Sequence, residues 1–217
     1  MSHSSVQIVV ESDRDRSAPL PVKLLQTINS ISPDLNASIQ SLNTLNPSDN
    51  GLFCPLTFNI PDWLPFSGQK TYQYCRSLNS LRQTVTAWGY ATGEGNHWLP
   101  LILTAKGPLY AEAIENRNSS YHQPLHLGDR TRQTLYQLGY QLLRHIQAIP
   151  GVYLLQFGGT SDPCFDRLIP FPDTPVLGSL GIQEPDLLTS YWYCQIGTPL
   201  IDLQIRSPSS SRTQFPH

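Results

Sequence analysis

Apolar side chains recur at helical spacing between residues 129 and 149, and this stretch is the clearest structural signal in the chain. Asp129 is a suitable helix N-cap, and Pro150-Gly151 is a suitable stop. The apolar positions, at spacings of 3, 4, 4 and 3, are Leu135, Leu138, Leu142, Ile146 and Ile149. Glutamines occupy much of the opposite side. The pattern predicts an amphipathic helix that packs its leucines onto a core.

The residues after this helix alternate between strand and helix signals. Val152 to Phe157 is a short, mostly apolar run, typical of a strand that is covered on both faces. A second helix is predicted to begin near Glu184-Pro185-Asp186 and to end at Gly197. Its predicted buried side is formed by Leu187, Leu188, Tyr191 and Trp192. A last strand is expected over residues 200–205.

The residues before this helix predict a helix over residues 70–84, followed by a hairpin. Val85 to Ala91 and Trp98 to Ala105 are its two strand-like runs, and Gly93 to Asn96 forms the turn. A third strand is expected over residues 109–114. Near the N-terminus, Val6 to Val10 is interpreted as an edge strand and Pro21 to Ile31 as a short helix.

The order of these elements predicts an α/β or α+β fold with a mainly antiparallel sheet flanked by helices. We expect three segments. Residues 1–68 would be an irregular N-terminal arm, residues 69–206 the α/β domain, and residues 207–217 a disordered tail. Ser, Asn and Pro are frequent between residues 32 and 68, which favours loops there.

Composition narrows the class of protein. The chain has 217 residues, of which 39% are hydrophobic and 14% charged, with a net charge of −2. Such a chain can bury a core, but it offers no excess of positive charge for nucleic acid or for a membrane surface. It has no run of 18 apolar residues and no secretory signal pattern. We therefore expect a cytoplasmic protein with no nucleic-acid or membrane partner.

Motifs for common cofactors and metals are missing from the sequence. The phosphate-binding loop, GxGxxG after a strand, the GxSxG elbow and HExxH are all absent. Cys54, Cys75, Cys164 and Cys194 include no CxxC pair, so buried or half-buried free thiols are expected. The sequence predicts no cofactor and no metal site.

Two groups of residues are candidates for binding. Lys106, Glu112, Asp166 and Arg167 have side chains suited to acid–base work or ligand binding, although turn caps and ordinary surface positions explain them equally. The second group lies in the Pro-rich part of the arm and consists of Phe53, Phe58, Trp63 and Phe66. These aromatic residues either form a strap over the core or provide a surface for a partner.

Several short motifs resemble the C-terminal half of the ATP-grasp fold, over about residues 80–200. A hairpin is followed by Tyr110-Ala111-Glu112, and the central helix contains Leu138-Gly139. The strand Gly151 to Phe157 is similar to the family's G-V-x-x-V-D-F strand, and Leu168-Ile169-Pro170 is similar to the end of its E-x-N-P strand. Ser179 to Ile182, followed by a helix, is also in keeping with the family.

The resemblance implies which residues would hold magnesium against the nucleotide in an active ATP-grasp enzyme. Here those positions are Gln156, Arg167 and Ile169; an alignment shifted by one residue would place Asp166 at the glutamate position. An amide, a guanidinium and an alkyl group do not supply the anionic oxygen ligands that Mg²⁺ needs. The family's glycine loop and lysine have no counterpart in residues 1–70.

These observations favour a non-catalytic protein with an ATP-grasp-like half domain, which binds a protein partner or a small ligand in an assembly or regulatory role. Its candidate ligand-binding residues are Lys106, Glu112, Gln156, Asp166 and Arg167. Two alternatives stay open: an enzyme with its site around Lys106, Glu112, Asp166 and Arg167, and a nucleotide-binding protein that has lost catalysis.

Overall fold

The computed structural model describes residues 5–206, which form a small parallel sheet and a larger antiparallel sheet, with helices packed on both. The predicted mixture of helices with a mainly antiparallel sheet is confirmed. The predicted tail, residues 207–217, lies outside the described residues. No helix in residues 5–206 combines the length and the apolar character needed to cross a membrane.

The N-terminal segment is regular, contrary to the predicted irregular arm. Strands β1 (Ser5–Val10), β2 (Asn36–Ser41) and β3 (Leu52–Pro55) form a parallel sheet in the order β2-β1-β3, and helix α1 (Pro19–Ile31) connects the first two strands. β1 is therefore central and not an edge strand, which explains why four of its six residues are buried apolar side chains. The predicted domain boundary between residues 68 and 69 stays a prediction.

The helix predicted over residues 70–84 is two helices, α2 (Gln69–Arg76) and α3 (Leu78–Ala87), separated at Ser77. Ser77 has a ψ of 65°, which interrupts the helical backbone. The break allows each helix to bury its own face, Tyr72 and Cys75 in α2 and Leu81 and Val85 in α3. Because α3 continues to Ala87, Val85 is helical.

The larger sheet is antiparallel throughout. Its strands are β4 (His97–Thr104), β5 (Gly107–Tyr110), β6 (Ala113–Arg117), β7 (Ser120–Leu125), β8 (Gly151–Gly158) and β9 (Cys164–Ile169). The order is β7-β6-β4-β8-β9. On the same edge of β4, β6 pairs with the first residues of the strand and β5 pairs with its last four. The predicted hairpin of residues 85–91 with residues 98–105 is wrong, because its first arm begins in α3 and continues without forming a strand. Its second arm is β4, which forms a hairpin with β5 instead, through a turn at Ala105-Lys106.

The central helix and strand are confirmed. Helix α4 (Asp129–His145) buries Leu135, Leu138 and Leu142, although its N-cap is Gly128 and not Asp129. β8 is covered on both faces: α5 (Leu187–Ile196) and α1 lie on one side, and α4 and α3 on the other. α5 has its predicted buried side, the side chain of Asp186 caps its start, and Gly197 closes it with a φ of 71°. The last predicted strand shrinks to β11 (Gln204–Ile205), which pairs with β10 (Gln183–Glu184).

All four cysteines are free, as predicted, and two of them are buried. Burial raises the pKa of the Cys54 and Cys75 thiols from 9.0 to about 12. Below pH 9 both thiols keep their protons in the folded and the unfolded chain, so their contribution to stability is complete. As the pH rises from 9 towards 12, the unfolded chain ionises while the folded chain resists ionisation, and this contribution is progressively lost.

We therefore expect the free energy of unfolding to fall in alkali, by up to about 1.4 kcal/mol per pH unit for each thiol. Urea unfolding at about pH 8 and about pH 10.5 measures the fall. A Cys54→Ala/Cys75→Ala variant should lose less stability between the two pH values than the unsubstituted protein. The decline that remains is due to the buried tyrosines Tyr72 and Tyr191, because burial also raises their pKa values. Parallel declines in both proteins would contradict the assignment.

Candidate functional site

The ends of β8 and β9 bring together three of the predicted ligand-binding residues. Gln156 on β8 pairs with Arg167 on β9, and Phe157 pairs with Phe165. Asp166 lies between the two paired positions and has no partner on β8, which makes it the extra residue of a β-bulge. The residue opposite Gln156 is thus Arg167.

The bulge directs Asp166 into a set of charged hydrogen bonds. The carboxylate is 3% exposed. Its Oδ1 accepts from the Arg82 guanidinium at 2.6 Å and lies 3.4 Å from Nε of Arg167, while its Oδ2 accepts from the backbone N–H of Gly95 at 3.0 Å. Arg82, on α3, also donates to the backbone carbonyls of Asp166 and Gly93. Charge-assisted bonds of this kind are among the stronger ones in proteins, so the carboxylate is fully occupied.

The segment 91–95, predicted as part of a hairpin, lies across this end of the sheet. Phe165 on β9 donates to the carbonyl of Ala91 and accepts from the N–H of Gly93. The side-chain amide of Gln156 donates to the carbonyl of Gly95. A Cβ atom on Gly95 would lie 2.1 Å from the carbonyl carbon of Phe157, so the segment reaches β8 this closely because residue 95 is glycine.

These residues do not fit the magnesium site that the resemblance implies. The amide of Gln156 is held as a donor to Gly95, Arg167 carries a positive charge, and Ile169 is buried at 4% exposure. Asp166, the alternative ligand, already has both oxygens bonded to N–H groups. Within residues 5–206 no three His, Cys, Asp or Glu side chains cluster as a metal-binding group. The local charge comes from one carboxylate and two guanidinium groups, which opposes cation binding.

Lys106 lies apart from the three candidate residues at the ends of β8 and β9, and the described contacts of Glu112 are with other residues. Gln156 pairs with Trp98 on β4. β4 ends at Thr104, six positions beyond Trp98, and Lys106 follows in the turn. At the rise of a β-strand this separates Lys106 from Gln156 by roughly 20 Å. The charge of Glu112 acts on Tyr136 of α4, adding to burial in raising the pKa of that phenol. Acid–base groups must reach one substrate, so the four-residue enzyme site expected as an alternative is not assembled.

The aromatic residues of the N-terminal segment mostly pack inward. Phe53 is 4% exposed. The ring of Phe58 lies edge-on to Phe171 with centroids 5.0 Å apart, and Phe66 has the same arrangement with Tyr72. Trp63 alone of the four is substantially exposed, at 43%. The strap interpretation therefore describes Phe58 and Phe66, whose rings pack on Phe171 and Tyr72 beyond the N-terminal segment. Phe53 is part of β3 and packs in a smaller cluster within that segment.

A partly open cavity of about 220 Å³ lies behind this strap. It is bordered by Phe66, Tyr72, Tyr153, Tyr191 and Gln195, and its lining includes no charged side chain. The hydroxyl groups of Tyr72 and Tyr153 already donate to backbone carbonyls. Pockets for drug-sized ligands usually measure about 300–1,000 Å³, so this cavity suits only a very small neutral molecule or water.

Sequence reasoning missed Arg82 and the role of Gly95. Arg82 and Asp166 are separated by 84 positions in the chain. Nothing in the local pattern of α3 distinguishes Arg82 from a solvated arginine. The pair of glycines at residues 93 and 95 was a recognisable signal, but it indicates a turn as readily as a close contact with another strand.

Comparison with known proteins gives a fold. No protein-family model matches the sequence, and the comparison with curated proteins finds no match. Several solved structures of ATP-grasp enzymes do match. The N5-carboxyaminoimidazole ribonucleotide synthetase of Thermus thermophilus has a TM-score of 0.66 at 10% identity, covering 90% of this chain and 79% of that one. The L-amino acid ligase of Bacillus licheniformis has a TM-score of 0.65 at 8% identity, covering 90% and 75%.

A third match is the carboxyaminoimidazole ribonucleotide synthase of Aspergillus clavatus, whose structure was solved with ATP. Its TM-score is 0.65 at 7% identity, covering 92% of this chain and 78% of that one. The chain therefore has an ATP-grasp-like fold. Coverage of about 90% also extends the likeness beyond residues 80–200, into the N-terminal segment that the motifs did not reach.

Proposed function

We propose that this protein, whose fold is that of ATP-grasp enzymes, is non-catalytic and acts by binding a partner protein. The observation that carries the proposal is the network around Asp166. Its carboxylate accepts from Arg82, Arg167 and the N–H of Gly95, while Gln156 donates to the carbonyl of Gly95. In a magnesium site, Gln156, Asp166 and Arg167 would have to offer oxygen ligands to the metal. Here Gln156 and Asp166 bind the segment 91–95 to the ends of β8 and β9. The network has a structural role that competes with metal binding.

The choice of a protein over a small ligand is supported by the size and lining of the cavity behind Phe66, and by the open form of the larger surface depressions. The cavity's 220 Å³ is below the usual range for a ligand pocket, and its lining offers no charge to fix an ionic ligand. Phosphoryl transfer, in turn, depends on metal ions to neutralise developing charge. Here the carboxylate that could hold such an ion, Asp166, is already bonded to Arg82 and to the N–H of Gly95.

Calorimetric titration of the protein with ATP and Mg²⁺ tests the non-catalytic assignment. We expect no binding heat and no change in the melting temperature. A ligand at 100 times its Kd would add about 2.7 kcal/mol of stability, which corresponds to a rise of about 5–10 °C for a chain of this length. The Aspergillus clavatus enzyme, solved with ATP, is the positive control. A saturable heat with MgATP would overturn the proposal in favour of a nucleotide-binding protein, and turnover of the bound ATP would identify an enzyme.

A further inference from the structure

Acidic residues are absent from two long stretches of the chain that fold against each other. Residues 63–93 and 130–161 contain six of the 14 lysines and arginines and none of the 16 aspartates and glutamates. The first stretch includes α2 and α3, and the second includes most of α4 and all of β8. These two stretches therefore contribute basic side chains and no carboxylates of their own to the surface that they form, and a surface with unpaired cations attracts anionic groups.

A groove crosses this surface. Helices α2 and α3 and the end of α4 enclose a space of about 650 Å³, bordered by Lys70, Tyr74, Ser77, Thr84, His145 and Gln147. A neighbouring depression of about 240 Å³ shares Gln147 and adds Tyr140 and Arg144. We call the two together the α4 groove. Both spaces are open to solvent, which suits a polypeptide segment, since small ligands are usually held in pockets that bury most of their surface.

The cations of the α4 groove have no acidic partner among the described residues. Neither Lys70 nor Arg144 forms an ion pair within residues 5–206, and the guanidinium of Arg144 lies 5.8 Å from the ring centroid of Tyr140. By contrast, Arg82 on α3 is paired with Asp166, and Arg132 on α4 is paired with Asp129. The groove therefore presents free positive charge to a partner.

The groove also exposes aromatic surface. Tyr74 is 49% exposed and Tyr140 is 46% exposed. The imidazole of His145 lies against the rings of Tyr74 and Trp88, with centroids 6.0 and 5.3 Å away. Tyrosine, tryptophan and arginine are the residue types that contribute most to protein–protein binding energy. Free cations interleaved with exposed aromatic rings match a segment that carries carboxylates and apolar side chains.

We propose that the α4 groove is a docking surface for an acidic polypeptide segment of a partner protein. The inference rests on the proposed non-catalytic binding function and names the partner's chemistry. Nucleic acid fits less well, because binding a phosphate backbone usually takes many basic contacts and the groove supplies two unpaired Lys or Arg side chains and one histidine.

A fluorescein-labelled short peptide of Glu and Phe residues is the probe, and its binding to the full chain is followed by fluorescence anisotropy. A Lys and Phe peptide, a single-stranded oligonucleotide and inorganic phosphate serve as comparisons. Amide chemical shifts of the ¹⁵N-labelled protein locate the site. We expect the acidic peptide alone to bind, with shifts confined to residues 70–84 and 140–148.

Matched variants separate this groove from general electrostatic attraction. Lys70→Glu/Arg144→Glu should weaken binding of the acidic peptide about tenfold or more, a change of about 1.4 kcal/mol. Arg14→Glu/Lys23→Glu, which reverses two exposed cations without ion pairs elsewhere, should change it less than about twofold. Tyr74→Ala should weaken binding more than Trp63→Ala, which removes an aromatic side chain of similar exposure.

Three results would overturn the inference: no binding of the acidic peptide, equal weakening by the two double variants, or shifts outside the groove. Equal or tighter binding of the oligonucleotide would identify a nucleic-acid surface instead, and phosphate reproducing the shifts would identify a small-anion site. These failures differ from failure of the proposed function, which is read from the MgATP titration.

Discussion

Gly95→Ala should cost about 3 kcal/mol or more of unfolding free energy, the upper end of the usual penalty for overpacking. The added Cβ would lie 2.1 Å from the carbonyl carbon of Phe157 and 2.5 Å from the backbone nitrogen of Gly158. These are backbone atoms of β8 and cannot rotate away, so the segment 91–95 must move. That movement also breaks the bonds of Gly95 with Asp166 and Gln156.

Urea unfolding measures the loss as a lower midpoint at unchanged slope. Gly128→Ala is the matched control, because nothing lies within 4 Å of its added Cβ and its φ is −63°. Loss of glycine at this N-cap should cost less than about 1 kcal/mol. Similar midpoints for the two variants would show that segment 91–95 does not lie against β8.

Asp166→Ala should be the second most damaging change, at about 3–5 kcal/mol, because it breaks a buried charge pair. It leaves the guanidinium of Arg82 and the N–H of Gly95 without their acceptor. The lower end of that range is expected, since the side chain of Arg82 is 26% exposed and water can reach it. Asp162→Ala removes an exposed carboxylate four residues away and should be nearly neutral.

A double-mutant cycle with Arg82→Met tests the physical cause. Removing both charges should cost less than the sum of the two single changes, by roughly 1–3 kcal/mol, because neither charge is then left unpaired. Additive losses would mean that the two side chains stabilise the protein separately. The network around Asp166 would then be a set of neighbours and not a unit.

Elements with a strong local pattern were predictable. The leucine spacing of α4, the stop at Pro150-Gly151, the apolar run of β8 and the Asp186 cap of α5 are all encoded within a few residues. Such signals survive because one face of a helix or strand must be apolar to pack, wherever its partner comes from. The resemblance added that Gln156 and Arg167 should be neighbours, and the register of β8 and β9 pairs them.

The predictions that failed concern pairing between distant residues. The strands of the N-terminal sheet are parallel and are joined by crossover connections. The local sequence of β2, which is rich in Ser and Asn, is typical of a loop, and its pairing with β1 makes it a strand. The segment 88–96 looked like a hairpin arm because its glycines favour a turn, yet its bonds go to β9, about 70 residues later. Local propensity does not contain that information.

The sequence by itself determined which residue types stand at the end of β8 and β9: an amide, a carboxylate and a guanidinium, with no second carboxylate beside them. Only the tertiary structure decided that a bulge directs Asp166 to Arg82, that Lys106 lies at the far end of β4, and that the acid-free stretches border one groove. The physical reason is that residue chemistry is local, whereas the partner of a charge is chosen by strand register and helix packing.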